Sequence, residues 1–221
     1  MLTSTEEDYI KAIYKIAQYQ GDKTVSTKNI ALELGTSSAS VTDMIQKLSD
    51  KQLLYYEKYY GVSLTKDGQS TVLKLLRKHR LWESFLHDTL GFSWDQVHEI
   101  AEQLEHVQSD ELIDRLDRFL GNPKYDPHGD PIPNSNGSFT FRPQCTLAEV
   151  KEFHKELHIT GVRKHDSGFL QYLSEQKLTP GKSIRLIAVN HFSKMHTIKT
   201  DDGSEVQLSM DIARDLLVKT I

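Results

Sequence analysis

Five of the six prolines lie between positions 123 and 143, among glycines, asparagines and serines. Proline fixes φ and removes a backbone donor, so this stretch interrupts regular structure. Before it, apolar residues recur at helical spacing. After it, residues 183–189, 196–200 and 205–208 are typical of strands, and residues 211–220 predict a short closing helix or strand. The 221 residues therefore do not share one continuous core, and we expect more than one domain.

The composition excludes several classes of protein. The chain is 26% charged and 38% hydrophobic, and it contains no apolar run of the roughly 18–20 residues that a membrane span needs. Glu6, Glu7 and Asp8 stand where a secretory signal would carry basic residues. The single cysteine, Cys145, excludes an intrachain disulfide framework and a cysteine-based zinc ribbon. We therefore expect a cytoplasmic protein without a membrane partner.

The first 64 residues predict three helices and a hairpin. Apolar spacing indicates helices over residues 4–20, 26–34 and 38–51. The aromatic and β-branched segment 53–64 predicts a two-stranded hairpin. This is the order of a winged helix-turn-helix, in which the last helix enters the major groove while the hairpin reaches the DNA backbone. A plain three-helix bundle remains the alternative.

Hydroxyl side chains cluster where the third helix begins, and hydroxyls and free N–H groups there suit phosphate oxygens and base edges. The predicted DNA contacts are Ser37, Ser38, Ser40, Thr42 and Lys47 on this helix, with Lys58 in the hairpin. Residues 1–70 contain eight lysines, nine acidic residues and no arginine, and the whole chain has a net charge of −4. DNA binding would therefore rest on local geometry and not on a basic field.

The middle of the chain predicts three further helices, over residues 66–90, 93–107 and 109–120. On the second of them two carboxylates and two imidazoles share one face: His98, Glu102, Glu105 and His106. Their spacing lets several side chains converge on one divalent cation. His79 and Glu83 add two candidate ligands one turn apart on the preceding helix. A solvated charged face is the alternative interpretation.

Two enzyme classes do not fit this pattern. A zincin needs His-Glu-x-x-His, but His98-Glu99 is followed by Glu102 at the position of the second histidine. A di-iron bundle needs two Glu-x-x-His pairs, and none of the ten histidines has a glutamate three residues before it. We therefore do not expect an enzyme, although a metal-dependent hydrolase using the same ligands stays open as a distant alternative.

Taken together, the motifs resemble the diphtheria toxin repressor family, and within it the manganese-responsive regulators. The segments that carry the resemblance run in order along nearly the whole chain: Asp8-Tyr9-Ile10, the helix-turn-helix from Thr27 to Lys51, residues 77–83, His98 to His106, and the loop from Asp126 to Pro133. The resemblance implies a mainly α protein with a small β part. The implied domains are a winged helix-turn-helix over 1–70, a helical metal-binding and dimerisation domain over 71–143, and an SH3-like (FeoA-like) domain over 144–221.

The resemblance also implies two metal sites. The primary ligands would be Asp8, Glu102, Glu105 and His106, and the ancillary ligands would be His79, Glu83, His98, Asp126, His128 and Asp166. Relatives with a dinuclear primary site have an acidic residue at the position of Lys11, so a dinuclear centre is not expected.

The implied function is that of a homodimeric repressor that binds operator DNA of metal-uptake genes and uses a divalent cation as co-repressor. Oxygen and nitrogen ligands without sulfur favour Mn²⁺, with Fe²⁺, Zn²⁺ and Cd²⁺ as further candidates. The alternative is a winged-helix regulator with a small-molecule effector and a structural acidic face.

Overall fold

The computed structural model of the chain describes residues 2–220. Its helices are α1 Ser4–Gln20, α2 Thr27–Glu33, α3 Ser38–Asp50, α4 Lys66–Asp88, α5 Val97–Leu104, α6 Asp110–Phe119, α7 Ser167–Glu175 and α8 Met210–Asp215. Its strands are β1 Leu54–Glu57, β2 Gly61–Leu64, β3 Cys145–Thr146, β4 Glu156–Val162, β5 Ser183–Asn190, β6 Met195–Thr200, β7 Glu205–Ser209 and β8 Leu216–Thr220. None of the described helices combines the length and the apolarity needed to cross a lipid bilayer.

The chain divides into two compact units. Unit 1 comprises the described residues up to His79 together with Leu104–Ser109 and Pro133–Ser138. Unit 2 comprises Arg80–Gln103, Asp110–Ile132 and the described chain from Phe139 onward.

Unit 1 contains the three helices and the hairpin that the sequence predicts. Thr3 begins α1 with a reciprocal capping box, in which Glu6 accepts a hydrogen bond from the Thr3 backbone N–H at 2.9 Å. The inward faces of α1, α2 and α3 meet in one apolar core that includes Ile13, Ile30 and Ile45. Strands β1 and β2 pair antiparallel, and the hairpin they form is held against this core through Leu54 and Val62.

Unit 2 contains a six-stranded antiparallel sheet in the order β3-β8-β4-β5-β6-β7. Its core is built from the apolar faces of the sheet, α7 and α8, and it also includes Trp94, which precedes α5. The Trp94 Nε1–H donates to Ser174 Oγ at 2.7 Å, so the segment before α5 is fixed to α7. A second apolar cluster joins Leu81 of α4 to Ile113 and Leu116 of α6.

The proline-rich loop is ordered where it contacts β4. Gly129 has φ of +93°, and a Cβ at this position would lie 2.2 Å from the Thr160 carbonyl oxygen. Val162 N donates to the His128 carbonyl at 2.9 Å. Only glycine allows this close approach, and the approach fixes His128 beside β4.

The observed elements correct the expected ones at three places. The predicted helix over 93–107 is only Val97–Leu104, because Trp94 is buried in the sheet core and residues 93–96 form a turn. Strands β3 and β4 and helix α7 were not predicted from the sequence. The segment 211–220 forms both a helix, α8, and a strand, β8. The remaining predicted helices and strands end within a few residues of the observed bounds.

Candidate metal centre

Asp8, Glu105 and His106 form a three-residue cluster in unit 1. Each offers a ligand atom, and these atoms lie within 4.8 Å of one another. Asp8 comes from the first half of α1, whereas Glu105 and His106 follow directly after the end of α5. The side chain of Glu105 is only 1% exposed. Two carboxylates and one imidazole at this spacing suit one hard or borderline divalent cation.

The ring of His106 is oriented by Glu7. Its Nδ1 lies 2.6 Å from Glu7 Oε2, and the other oxygen of Glu7 accepts a hydrogen bond from Gln108 Nε2 at 3.0 Å. A carboxylate only accepts, so Nδ1 carries the proton and Nε2 is the nitrogen that faces Asp8, at 3.3 Å from Oδ1. A carboxylate that fixes the tautomer of a ligating histidine is a recurrent feature of metal sites. Glu7 thus prepares His106 to bind through Nε2.

A lysine and a histidine contact the buried carboxylate of Glu105. Lys11 Nζ lies 2.8 Å and 2.7 Å from its two oxygens, and His79 Nδ1 lies 2.5 Å from Oε2. Burial raises the pKa of Glu105, but the hydrogen bond and charge of His79, together with the charge of Lys11, outweigh it and hold that pKa below its usual range. Glu105 is therefore an anion whose charge is already balanced by protein cations.

Glu102, the fourth predicted primary ligand, belongs to unit 2. Its Oε1 lies 3.4 Å from His98 Nε2, and its side chain is half-exposed. Within the same unit, His98 Nδ1 lies 3.2 Å from Glu83 Oε1. Hydrogen bonds to Glu102 and Glu83 raise the pKa of His98 to about 9, so this imidazole is charged between two carboxylates.

A second cluster, Glu83, Asp126 and His128, lies in unit 2 and is entirely buried. His128 Nε2 lies 2.7 Å from the Trp94 carbonyl oxygen, so Nε2 is the donor to that acceptor. His128 Nδ1 has no hydrogen-bond partner, although Glu83 Oε1 lies 3.7 Å away. A buried, unpartnered nitrogen beside two carboxylates fits a cation ligand.

The electrostatics of this second cluster reflect carboxylates crowded into a buried space. Burial, and then the neighbouring carboxylates Glu83 and Asp130, raise the pKa of Asp126 to about 8. Burial lowers the pKa of His128, but the facing Glu83 outweighs it and brings the value to about 9. Arg80 offsets part of the negative charge, 3.6 Å from Asp126 and 3.0 Å from Asp130. The group is crowded with acids that a divalent cation would neutralise.

The other predicted ancillary ligands are placed differently. His79 belongs to unit 1, where it pairs with Glu105. Asp166 caps α7, and its Oδ1 accepts a hydrogen bond from Phe169 N at 3.1 Å. Its neighbour His165 instead stacks on His128, with ring centroids 4.7 Å apart. The sequence analysis missed four residues of these clusters, because only tertiary packing brings them there: Glu7, Lys11, Asp130 and His165.

The predicted DNA contacts are all exposed residues of unit 1. The Ser37 hydroxyl caps α3 and accepts a hydrogen bond from Ser40 N at 3.1 Å, while Thr42 Oγ1 donates to the Ser38 carbonyl. All five predicted residues of α3 are exposed to solvent, and so is Lys58 at the tip of the hairpin. Their positions leave them accessible to DNA.

Comparison with known protein families identifies the domains that carry these metal clusters and exposed residues. The model of the iron-dependent repressor N-terminal DNA-binding domain matches residues 1–62. The model of the iron-dependent repressor metal-binding and dimerisation domain matches residues 65–134, and a FeoA domain matches 145–220.

Individual relatives agree with the family models. The chain is 29% identical to the diphtheria toxin repressor of Corynebacterium jeikeium, over 94% of this chain and 85% of that one. It is 40% identical to the HTH-type transcriptional regulator MntR of Listeria welshimeri serovar 6b, over 52% of this chain and 80% of that one. A solved structure of a manganese-dependent transcriptional repressor in complex with manganese is 33% identical, with a TM-score of 0.83, over 98% of this chain and 100% of the other.

The chain belongs to the diphtheria toxin repressor family. The resemblance inferred from the motifs is thereby confirmed, as is the expected fold: an N-terminal DNA-binding domain, a helical metal-binding part and a C-terminal FeoA domain with a sheet. Like the rest of the diphtheria toxin repressor family, the chain is a metal-dependent, DNA-binding transcriptional repressor with a divalent metal as cofactor.

Proposed function

We propose that Mn²⁺ is the co-repressor and that Asp8, Glu105 and His106 are its primary ligands. The observation that carries this proposal is the convergence of two carboxylates and one imidazole, without sulfur, within 4.8 Å. Hard oxygen ligands suit manganese, whereas thiolates select softer ions. Fe²⁺, Zn²⁺ and Cd²⁺ are the competing ions, and Glu102 remains a predicted ligand on the strength of the family resemblance.

The residues around the primary site act on its ligands in two ways. Glu7 holds the His106 ring so that Nε2 is presented. Lys11 and His79 keep the Glu105 carboxylate ionised, but they also occupy the oxygens that a cation would bind. When bound, the cation supplies positive charge between carboxylates that would otherwise repel one another. Because Asp8 lies in α1, and Glu105 with His106 lies in the segment after α5, joint coordination would fix these two segments of unit 1 to each other.

We propose the cluster Glu83, Asp126 and His128 as the ancillary site. The three buried ligand atoms lie within 4.8 Å of one another, and the Nδ1 of His128 has no hydrogen-bond partner; these two observations support it. His98 contacts Glu83 and would act at this site as a ligand or as its neighbour. His79 and Asp166 remain candidates on the strength of the family resemblance; the first also pairs with Glu105, and the second caps α7.

The proposed partners are operator DNA of metal-uptake genes and a second copy of the chain. Family models for a DNA-binding domain and for a dimerisation domain support both partners. We assign the domains to residues 1–70, 71–143 and 144–221. A repressor of this kind acts in the cytoplasm and performs no catalytic step. In a dimer, fixing α1 would set the separation of the two α3 helices, which must match half-sites about 34–36 Å apart, or a multiple of that distance.

Metal-dependent DNA binding is the test of this function. A short duplex is enriched from a random pool by the manganese-treated protein, and its binding is followed by fluorescence anisotropy with Mn²⁺ or with chelator. We expect DNA binding only with Mn²⁺. Asp8→Asn should lose most of this DNA binding. Glu33→Gln, a control on the surface of the same unit, should keep it. Equal binding in chelator would favour a small-molecule effector. Absence of DNA binding combined with metal-dependent hydrolysis would favour an enzyme.

A further inference from the structure

Three tyrosines of the hairpin β1–β2 point into solvent. Tyr55, Tyr59 and Tyr60 are 66%, 92% and 74% exposed, whereas Leu54 and Val62 of the same hairpin are buried. Core packing therefore explains only the inward face of this hairpin. Single exposed apolar residues are ordinary, but three exposed aromatic rings within six residues concentrate apolar surface on one hairpin, and exposed apolar patches mark interaction sites.

The tip of the hairpin is fixed in an unusual conformation. Tyr59 has φ of +75°, in the left-handed region that side chains with a Cβ rarely adopt. Close to the tip, β2 is bridged to Val25, whose N–H donates to the Val62 carbonyl at 2.8 Å and whose carbonyl accepts from Val62 N at 2.9 Å. The strand that follows the tyrosines is thus hydrogen-bonded to a neighbouring segment, and a strained residue such as Tyr59 is a pointer to function.

The charge of this domain determines what the rings can contribute. Residues 1–70 contain no arginine and carry one more acidic than basic residue, so few cations are available for DNA phosphates. A tyrosine hydroxyl donates a hydrogen bond to a phosphate without adding charge, and its ring packs against sugars. Lys58 Nζ lies 5.4 Å from the centroid of the Tyr59 ring, which places one cation beside this neutral surface.

We propose that Tyr59 and Tyr60 contact double-stranded DNA, and that they supply affinity which does not depend on counterion release. The proposal rests on the DNA-binding function above. The occupant is duplex DNA because the hairpin tip falls within residues 1–62, which match the family's DNA-binding domain, and because the exposed serines of α3 belong to the same unit. Tyr55, on the outward face of β1, extends the same surface.

The test compares four proteins on the selected duplex at several salt concentrations, with Mn²⁺ present throughout. They are the wild type, the double variant Tyr59→Asn/Tyr60→Ser, Lys58→Ala and the control Tyr19→Ser. Asparagine tolerates the left-handed conformation, so the double variant keeps the turn. Tyr19 is 94% exposed in the same unit and serves as the matched tyrosine.

We expect the double variant to bind at least about tenfold more weakly at every salt concentration, because a dimer would lose a neutral hydrogen bond at several positions. Its slope of log affinity against log salt should equal that of the wild type. Lys58→Ala should instead make the slope shallower by about 0.9 for each phosphate that the lysine no longer neutralises. Tyr19→Ser should match the wild type in both affinity and slope.

Thermal unfolding and sedimentation of each variant separate the remaining outcomes. A folded double variant that binds DNA as tightly as Tyr19→Ser would overturn the proposal. A changed oligomeric state at unchanged DNA affinity would also overturn it, because the tyrosines would then contact a second copy of the chain. If the wild type fails to bind the duplex with Mn²⁺, the proposed function itself fails, and this outcome is distinct from a failure confined to the tyrosines.

Discussion

Lys11 should weaken metal binding at the primary site, so replacing it should tighten that binding. Its ammonium group lies 2.7 Å and 2.8 Å from the two oxygens of Glu105, and it is only partly exposed. A cation held by Glu105 would therefore come within about 5 Å of this charge. Lys11→Gln removes the positive charge while keeping a polar side chain of similar reach.

The size of the effect follows from the charges. A single and a double positive charge about 5 Å apart repel by about 2 kcal/mol at the dielectric constant of water, and by more beside a buried group. We therefore expect Lys11→Gln to bind Mn²⁺ at least about tenfold more tightly. Without metal the same variant should be less stable, because the buried Glu105 loses one of its two cationic partners.

Isothermal titration with Mn²⁺ measures the affinity, and thermal unfolding with and without Mn²⁺ measures the two stabilities. The matched control is Lys15→Gln, which lies one turn further along α1 and pairs with Glu33 on the surface at 2.7 Å. This control should leave both the affinity and the metal-induced stabilisation unchanged. Equal or weaker Mn²⁺ binding in Lys11→Gln, compared with Lys15→Gln, would refute the electrostatic reasoning.

The same geometry leads to three further predictions. Glu7→Gln should weaken Mn²⁺ binding by about 10- to 100-fold in titration calorimetry, because glutamine lacks the charge that holds the His106 ring and its single amide oxygen cannot accept from both His106 and Gln108. An affinity equal to that of Glu33→Gln would contradict this prediction. Hydrogen bonds from Lys51 and from the Thr3 backbone lower the pKa of Glu6 in the folded protein. The stability that ionised Glu6 adds to the folded state is therefore complete above the usual glutamate pKa of about 4.3. It is lost as pH falls through the lower folded value. The unfolding temperature of Glu6→Gln should accordingly fall less than that of the wild type on acidification through this range, whereas parallel pH profiles would rule out this role. Asp8→Met combined with Glu102→Cys should raise the response to Fe²⁺ relative to Mn²⁺ in anaerobic anisotropy on the selected duplex, and an unchanged metal ranking would show that these positions do not set the preference.

The helical half of the fold was predictable because its signals are local. The apolar positions of α1 and α3 recur at helical spacing, and Gly35 with φ of +60° ends the second helix region as expected. Helix α5 is shorter than predicted because Trp94 packs in the sheet core. The local sequence around Trp94 does not indicate this tertiary contact.

The C-terminal elements were harder to predict for a different reason. Residues 159–162 of β4 are all buried, so this strand lacks the alternation that identifies a half-buried strand. Helix α7 is short and begins with Ser167-Gly168, a weak helix start. The resemblance directed attention to Asp166 as a ligand, whereas its carboxylate caps that helix.

The candidate ligands were easier to find than the residues that support them. Glu105 and His106 stand out because, together with His98 and Glu102, they place carboxylates and imidazoles on one face of the predicted helix, and that spacing is visible in the sequence. Glu7 and Lys11 are also one turn apart, but their partners, His106 and Glu105, are more than ninety positions away. A hydrogen bond over that separation is set by tertiary packing, which local spacing does not reveal.

Anomalous scattering from a manganese-soaked crystal of the full chain, recorded at the manganese edge, tests the central claim most directly. The account predicts a strong peak within coordination distance of Asp8, Glu105 and His106, with His106 bound through Nε2 because Glu7 holds Nδ1. Absence of a peak at these three residues, or a peak confined to Glu83, Asp126 and His128, would contradict it.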